Sequence, residues 1–221
     1  MNKSVFMILI LLIAFGFFTK MESEDRIKNV SEQSQVDVSN EKVRIELSPI
    51  RIFDEGDLLE ISIEDVGKYH GGVCLCLTIA FKSIQFAISQ LWQDETPKRG
   101  DFKIISACPT PGSRDCFEFI TRVITRGKSN DFKLELPQGT DIENMISDNF
   151  TFLFIRKSTG DSIRIRPKEG IFPDGFFRLR NFVKYGKTAT KEDEDDFWAI
   201  KRELEHKFMT LPAKEIFVFE R

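Results

Sequence analysis

The chain has 221 residues, of which 41% are apolar and 30% are charged, an ordinary composition for a globular protein with one substantial core. Its formal net charge of −3 argues against a nucleic-acid partner, since proteins that bind the phosphate backbone normally present a basic face. Phenylalanine dominates the aromatic residues, 22 against two tyrosines and two tryptophans, and a ring without a polar group is expected to fill the core.

The first 42 residues predict export from the cytoplasm. Residues 5–18 are an unbroken stretch of apolar residues and glycine after Lys3, which is typical of a secretory signal and short for a membrane span of ~20 residues. Cleavage and retention of residues 1–19 both stay open, because few small residues suit a cleavage site. Residues 20–42 are polar and predict a flexible tether. We expect an extracytoplasmic protein, with residues 5–18 as a candidate membrane tether.

Residues 43–221 predict a single α+β domain. Residues 43–47 alternate between polar and apolar and predict a first strand, and Ser62 is a candidate N-cap for a short helix that ends at Gly71 and Gly72. Residues 73–93 form the longest apolar stretch outside the N-terminal segment, with apolar residues near i, i+4 and i+7. This pattern predicts a long central helix.

The second half of the domain predicts strands that alternate with helices. The sequence S-T-G-D at 158–161 separates two alternating runs and predicts a hairpin. A run of acids after Thr190 suits the N-terminus of a helix better than a metal site. The predicted elements are strands 102–106, 132–136, 150–156, 162–166 and 216–219, and helices that start at Ser113, Phe176 and Thr190. Together they predict a mixed or antiparallel sheet packed by the long central helix, with a C-terminal hairpin and helices.

A histidine and a cysteine meet at the predicted start of the central helix. Four positions separate His70 from Cys74, and the glycines between them permit a sharp turn, so the imidazole and the thiolate could converge on one ion. In the first turn of a helix, Cys74 would also be favoured as a thiolate. The pair suits either a metal ligand set or a reactive thiol.

A second cluster of potential ligands lies further along the chain. It contains Cys108, Asp115 and Cys116. Zinc with an open coordination position commonly takes three protein ligands, and His70, Cys74 and Cys108 could make such a set.

Disulfides are the alternative use of the cysteines, since an exported protein meets an oxidising environment. Cys74 and Cys76 are too close in sequence for an easy bridge, whereas Cys108 could pair with Cys116 or with the other two. Taken individually, Cys76 and Cys116 are expected to be buried thiols.

These residues resemble those of a known family. The sequence Y-H-G-G-V-C at 69–74 resembles the F-H-G-H-x-C-P-G signature of the E-subunit family of formylmethanofuran dehydrogenase, in which the motif also opens a long apolar helix. Cys108, D-C-F-E at 115–118 and T-R-G-K-S-N at 125–130 look like the family's cysteine, D-A-I-Q and T-x-G-K-G-N series. The resemblance covers roughly residues 63–219. It implies an α+β fold with a metal site, seen with zinc, built on the histidine and cysteine of the signature.

The chain departs from the family pattern at several positions. Gly72 replaces the second histidine, Leu75 and Cys76 replace Pro-Gly, residues 109–114 look like an insertion, and Glu118 stands where glutamine is usual. The ligand set is therefore altered. The resemblance implies zinc ligands His70, Cys74 and Cys108, additional candidate ligands Cys76, Cys116 and Asp115, and binding residues Lys128 and Asn130.

Two functions follow as hypotheses. In the first, the protein is an exported zinc-binding relative of this family without an assignable reaction. Some members of the family belong to a molybdenum or tungsten enzyme that fixes CO2 onto methanofuran, and many others stand alone. In the second, the cysteines form a thiol- or disulfide-based interaction or redox module with a degenerate metal site. A homodimer and an unidentified small-molecule ligand are compatible with both. Acyl transfer and glycoside hydrolysis are disfavoured, because the sequence has no nucleophile elbow and no persuasive carboxylate pair.

Overall fold

The computed structural model describes residues 47–221. The signal or anchor predicted at 1–19, the tether at 20–42 and all but the last residue of the strand predicted at 43–47 lie outside the described residues. Within residues 47–221 no helix is long and apolar enough to cross a membrane.

The described chain begins with a hairpin that the sequence pattern did not predict. Its strands are β1 (Ile50–Asp54) and β2 (Asp57–Ile61), which pair antiparallel. Glu55 and Gly56 between them both have positive φ, 53° and 104°, as a tight two-residue hairpin turn requires. The buried residues of β1, Ile50 and Ile52, alternate with exposed Arg51, but five residues are too short a run to stand out.

Two helices meet at the candidate site. Helix α1 (Ile63–His70) begins with a capping box between Ser62 and Asp65 and ends at Gly71, as predicted. Helix α2 (Leu75–Leu91) is the predicted long helix, shorter than 73–93 by two residues at each end, and Cys74 is its N-cap. It is buried on most of its circumference and packs against the strands Phe152–Arg156 and Ser162–Pro167 and against the helices Pro111–Thr121 and Lys191–Thr210.

The main sheet has five strands in the order β4-β3-β5-β6-β7. Strand β3 pairs parallel with β4 and antiparallel with β5, so the sheet is mixed, as predicted. The hairpin of β5 and β6 is confirmed, with Phe154 opposite Ile163. The strands are β3 (Phe102–Ser106), β4 (Phe132–Leu134), β5 (Phe152–Arg156), β6 (Ser162–Pro167) and β7 (Phe217–Glu220).

Four further helices complete the described α+β domain, with short 3₁₀ turns at Arg99–Asp101 and Ser147–Phe150. They are α3 (Pro111–Thr121), α4 (Phe176–Tyr185), α5 (Lys191–Thr210) and α6 (Ala213–Ile216). The predicted start of α4 at Phe176 and the Thr190 cap of α5 are confirmed.

The predicted start of α3 at Ser113 is wrong. The N-cap is Thr110, whose hydroxyl accepts a hydrogen bond from the Ser113 amide, and Pro111 occupies the first helical turn. The sequence P-T-P-G at 109–112 looks like a turn, but proline is favoured at the first helical position, where its missing N–H costs nothing. The earlier start places Gly112 in the first turn of α3, beside the candidate site.

Phenylalanine fills the core, as its abundance predicts. The largest fully buried side chains are mostly phenylalanines: Phe81, Phe102, Phe117, Phe152, Phe154, Phe197, Phe208 and Phe217. Few charged residues are buried with them, and one of these is a lysine on the central helix. Lys82 of α2 is buried and donates a hydrogen bond to the Leu211 carbonyl at the end of α5, where the helix dipole favours a cation. Burial lowers the pKa of Lys82 to about 8.

Candidate metal centre and adjoining cavity

A double-glycine turn brings His70 and Cys74 together. Gly71 and Gly72 have φ values of 96° and 148°, and both amides donate to the Gly67 carbonyl at the end of α1, at 2.9 and 2.7 Å. The chain therefore reverses tightly enough for the side chains on either side of the turn to face each other. His70 Nε2 lies 3.7 Å from Cys74 Sγ.

Asp115 of α3 orients the imidazole. Its Oδ2 lies 2.7 Å from His70 Nδ1, and because a carboxylate only accepts hydrogen bonds, Nδ1 carries the proton and donates it. The other ring nitrogen, Nε2, faces Cys74. This hydrogen bond raises the pKa of His70, against the opposing effect of burial. The sequence offers Asp115 as an additional ligand. In the structure it instead bonds the ring nitrogen of His70 that does not face Cys74.

The Cys74 thiol is held as a thiolate. Hydrogen bonding from the Cys76 thiol is the strongest influence, and together with the Leu77 amide and His70 it outweighs burial and lowers the pKa of Cys74 to about 5. The same hydrogen bond, with burial, raises the pKa of Cys76 well above its ordinary value. At neutral pH Cys74 is therefore ionised and Cys76 is not.

Gly112 permits this pair to lie against α3. A Cβ atom at position 112 would lie 2.9 Å from Cys74 Sγ and 3.3 Å from His70 Nε2, the first of which is closer than real Cβ contacts. Any other residue would displace the thiol or the imidazole. No local sequence pattern indicates this role of Gly112, since it depends on contacts with residues 35 or more positions away.

Cys108 and Cys116 lie deeper in the fold. Cys108 Sγ lies 3.2 Å from the hydroxyls of both Thr110 and Ser113, and Ser113 also bonds the Cys76 carbonyl at 3.2 Å. Burial raises the pKa of both thiols, that of Cys116 strongly. All four cysteines, Cys74, Cys76, Cys108 and Cys116, are free thiols in this structure.

The donor atoms of His70 and Cys74 fit two positions of a zinc ion. Tetrahedral zinc with bonds of about 2.0 Å to nitrogen and about 2.3 Å to sulfur would separate these atoms by roughly 3.5 Å, near the observed 3.7 Å. The carboxylate behind the imidazole is the usual partner of a metal-bound histidine. A complete set is not preassembled: within residues 47–221 no three His, Cys, Asp or Glu side chains are grouped as metal ligands.

A cavity of about 200 Å³ opens beside this pair. His70, Cys74 and Cys76 line it together with the first turn of α3, and residues of α4 and α5 line it as well. Its apolar wall is formed by Ile142, Met145, Phe150, Phe176, Phe177 and Phe197. The site therefore combines a thiolate and an imidazole with a small apolar chamber, the usual composition of a small-molecule site.

Arg180 of α4 also lines this cavity, and the sequence analysis missed it. It lies four residues after the buried Phe176, on the same face of the helix, whereas Arg178 between them is exposed. This four-residue spacing from a buried phenylalanine was the sequence signal that could have indicated a buried Arg180. The charge of Arg180 also reaches Cys108, where it is one of several influences that oppose the effect of burial on the pKa of that thiol.

The predicted binding residues Lys128 and Asn130 lie elsewhere. Lys128 lines a separate groove of about 1040 Å³, which shares no lining residue with the cavity at His70. Asn130 is exposed in the turn before β4. His206, on α5, is exposed as well, as its position among charged residues predicts. The structure therefore brings together His70, Cys74, Cys76 and Asp115 and separates the T-R-G-K-S-N segment from them.

Comparison with known proteins agrees with the motif at 69–74. No curated protein matches the chain. A family model described as FmdE, molybdenum formylmethanofuran dehydrogenase operon, matches residues 69–218, which is more than half of the chain and includes every element from α2 to α6. The chain therefore belongs to the FmdE family, that of the formylmethanofuran dehydrogenase E-subunit.

Proposed function

We propose that this protein is an exported zinc-binding protein whose metal is held by His70 and Cys74, with a coordination position open towards the adjoining cavity. The observation that carries the proposal is the 3.7 Å separation of His70 Nε2 and Cys74 Sγ, with Asp115 bonded behind the imidazole. A thiolate and a neutral imidazole with a fixed tautomer are the ligand forms that zinc requires.

The third ligand is proposed to be Cys108, as the sequence suggests, with Cys76 and Cys116 as alternatives. Cys76 is already hydrogen-bonded to Cys74. Cys108 would have to exchange its contacts with the hydroxyls of Thr110 and Ser113 for the metal. Gly72 stands where the family signature has its second histidine, and this missing ligand supports a position open to a small molecule.

The metal would act as a Lewis acid for the ligand atom in its open position. The residues of the chain have separate parts in the site. Asp115 keeps the Nδ1 proton of His70 in place, and the Leu77 amide together with the Cys76 thiol stabilises the charge of Cys74. The apolar wall would pack against an apolar part of a bound ligand.

Metal analysis of the purified chain tests the proposal. We expect about one zinc per wild-type chain, and its loss in His70→Ala and Cys74→Ser. His206→Ala is the matched control, because this exposed histidine of α5 lies far from the site in sequence and should leave the zinc content unchanged. Circular dichroism shows that the variants are folded. Absence of zinc from the wild type, or its retention in both site variants, would refute the proposed metal centre.

Cysteine variants identify the third ligand. Cys108→Ser is expected to lower zinc affinity at least tenfold, whereas Cys116→Ser should retain it. Retention in Cys108→Ser and loss in Cys76→Ser would assign the third ligand to Cys76.

Export is tested by fractionation of cells that produce the full chain. We expect the protein outside the cytoplasm, either released or bound to the membrane through residues 5–18. Recovery of the full-length chain as a soluble cytoplasmic protein would contradict this part of the proposal.

The second candidate is the thiol-based module, and the low pKa of Cys74, about 5, favours it. A thiolate beside an imidazole that a carboxylate orients is also the arrangement of an activated nucleophile. Counting free thiols in the metal-stripped protein separates the candidates. Four free thiols in a chain that rebinds zinc favour the metal centre, and two disulfides favour the thiol module.

A further inference from the structure

The cavity beside His70 and Cys74 has an electrostatic character that the metal site does not explain. Three cations line it, Arg180, Lys184 and Lys201; no aspartate or glutamate does, and its anionic group is the Cys74 thiolate at the opposite end, which a metal would neutralise. Lys201 has a carboxylate partner, since its Nζ lies 2.7 Å from Glu205. Arg180 has none among residues 47–221, although it is the most buried of the three.

Arg180 is a buried charge with neutral partners. Only 8% of its surface is exposed, and its Nη1 donates to the Ile142 carbonyl at 2.6 Å and to the Asn181 side-chain oxygen at 2.8 Å. Its guanidinium also lies over the Tyr185 ring, 5.2 Å from the centroid. Nε and Nη2 have no hydrogen-bond partner among the described residues. Removing a charge from water without an opposite charge is costly, and a guanidinium is shaped to bind a carboxylate through two parallel hydrogen bonds.

The size and walls of the cavity define the rest of the ligand. A dry cavity of about 150 Å³ accommodates benzene, so the observed 200 Å³ suits a molecule of about that size with one small polar group. Phe176, Phe177 and Phe197 present aromatic surface to it. An apolar or aromatic body therefore fits, and a sugar or a nucleotide is too large and too polar.

We propose that this cavity binds a small organic carboxylate with an apolar body, whose carboxylate pairs with Arg180 and whose body packs against the phenylalanines of α4 and α5. The opposite end of the ligand would face His70 and Cys74. This orientation towards the metal rests on the proposed function, whereas the pairing with Arg180 does not.

Three probes of similar shape test the proposal on the wild-type chain: benzoate, neutral benzamide and cationic benzylamine. Isothermal titration calorimetry on chelator-treated and on zinc-loaded protein measures their affinities. Because a hydrogen-bonded charge pair is worth roughly tenfold or more in affinity, we expect benzoate to bind at least tenfold tighter than benzamide, and benzylamine to bind least. Equal affinities for benzoate and benzamide, or no binding of any probe at millimolar concentration, would overturn the proposal.

A matched pair of variants locates the carboxylate. In Arg180→Gln the preference for benzoate over benzamide should fall to about threefold or less in metal-free protein. In Arg178→Gln, which removes an exposed arginine two positions earlier on the same helix, it should persist. A preference that survives in folded Arg180→Gln would show that the carboxylate binds elsewhere and would refute the assignment. Should Arg180→Gln fail to fold, the three probes on the wild type still decide.

Zinc content of the wild-type chain, measured as purified and again after zinc is offered to the chelator-treated protein, keeps the two proposals apart. A wild-type chain that prefers benzoate but holds no zinc supports the carboxylate site and refutes the metal centre. A chain that holds zinc but shows no preference for benzoate supports the metal centre and refutes the carboxylate site.

Discussion

Two cavities of the described domain use charge in opposite ways. In the large groove the least exposed carboxylates have opposite partners: Asp54 lies 2.6 Å from Arg99, and Asp131 lies 2.7 Å from Lys157. In the small cavity beside His70, Arg180 contacts only neutral groups of the described chain. The groove is about five times larger, at about 1040 against 200 Å³, yet these least exposed carboxylates already pair with cations of the protein.

The pairing in the groove holds elements together. Arg99 bonds Asp54 at the end of β1 and also donates to the carbonyls of Phe119 and Ile120 at the end of α3, both at 2.9 Å. The Arg99 side chain therefore links the β1–β2 hairpin to the last turn of α3. Cavity volume is therefore a poor guide to function in this protein. A buried charge without an opposite partner is a better guide.

The largest expected effect on stability comes from removing the ion pair between Arg99 and Asp54 in the large groove. Arg99 is only 12% exposed, and Arg99→Gln leaves Asp54 and two helix-end carbonyls short of a partner. We expect it to lower the free energy of unfolding by about 3 kcal/mol, measured by urea denaturation. Arg126→Gln is the control, since Arg126 pairs with the same carboxylate but is 50% exposed and should cost less than about 1 kcal/mol. Equal losses in the two variants would contradict the structural role of Arg99.

The next effect concerns the metal centre. Asp115→Asn keeps the shape of the side chain that bonds His70 but removes its charge, so the imidazole becomes a weaker and less firmly oriented ligand. We expect zinc affinity to fall about 10- to 100-fold, measured by competition with a chelator. Asp196→Asn on α5 removes an exposed carboxylate and should leave the affinity unchanged. An unchanged affinity in Asp115→Asn would mean that His70 is not a ligand.

Acid should weaken the ion pairs that Asp54 makes in the large groove. Burial opposes the ionisation of Asp54, but hydrogen bonds and charges from Arg99 and Arg126 outweigh it and hold its pKa below the ordinary value. A lowered pKa in the folded state stabilises the fold at pH values above the ordinary pKa of about 4, and this contribution is lost as the pH falls through the folded value.

Comparing two pH values tests this sign. The difference in unfolding free energy between wild type and Arg99→Gln should be smaller at pH 3 than at pH 6, because below the ordinary pKa the unfolded chain takes up a proton at Asp54 that the ion pair of the folded chain resists. A difference that stays constant or widens in acid would contradict the ion pair as its source.

The smallest effect is expected in the small cavity. Arg180→Gln removes two hydrogen bonds but also a buried charge without an opposite partner, and these changes act in opposite directions. We expect the unfolding free energy of the metal-free chain to change by less than about 1 kcal/mol. A loss near that of Arg99→Gln would make Arg180 a structural residue and erase the contrast between the cavities.

Much of the fold was predictable because its signals are local. The long apolar period of α2 and the S-T-G-D turn between β5 and β6 each lie within about 20 consecutive residues. The β1–β2 hairpin was missed because its turn is Glu55-Gly56, with a non-glycine residue at positive φ, and because its strands are short. The start of α3 was missed because proline suits both a turn and the first helical position.

Only the part of the site formed by residues close together in the sequence was predictable. The spacing of His70 and Cys74 across two glycines indicated that their side chains meet. Asp115 contacts His70 across 45 positions, so the sequence could offer it as a ligand but could not assign it to Nδ1. Arg180 comes from a helix more than 100 residues away, and its lack of a charge partner is visible only in the folded chain.

Gly112 gives a simple diagnostic for relatives that share the 109–114 segment. Because a Cβ atom there would overlap Cys74 Sγ at 2.9 Å, a homologous chain with any side chain at this position cannot keep the same thiol and imidazole geometry. Among relatives that align through α3, glycine at this position should therefore accompany the histidine and cysteine of the signature, and a larger residue should accompany their loss. One position in a sequence, read without any structure, would then sort relatives that retain the centre from those that keep only the fold.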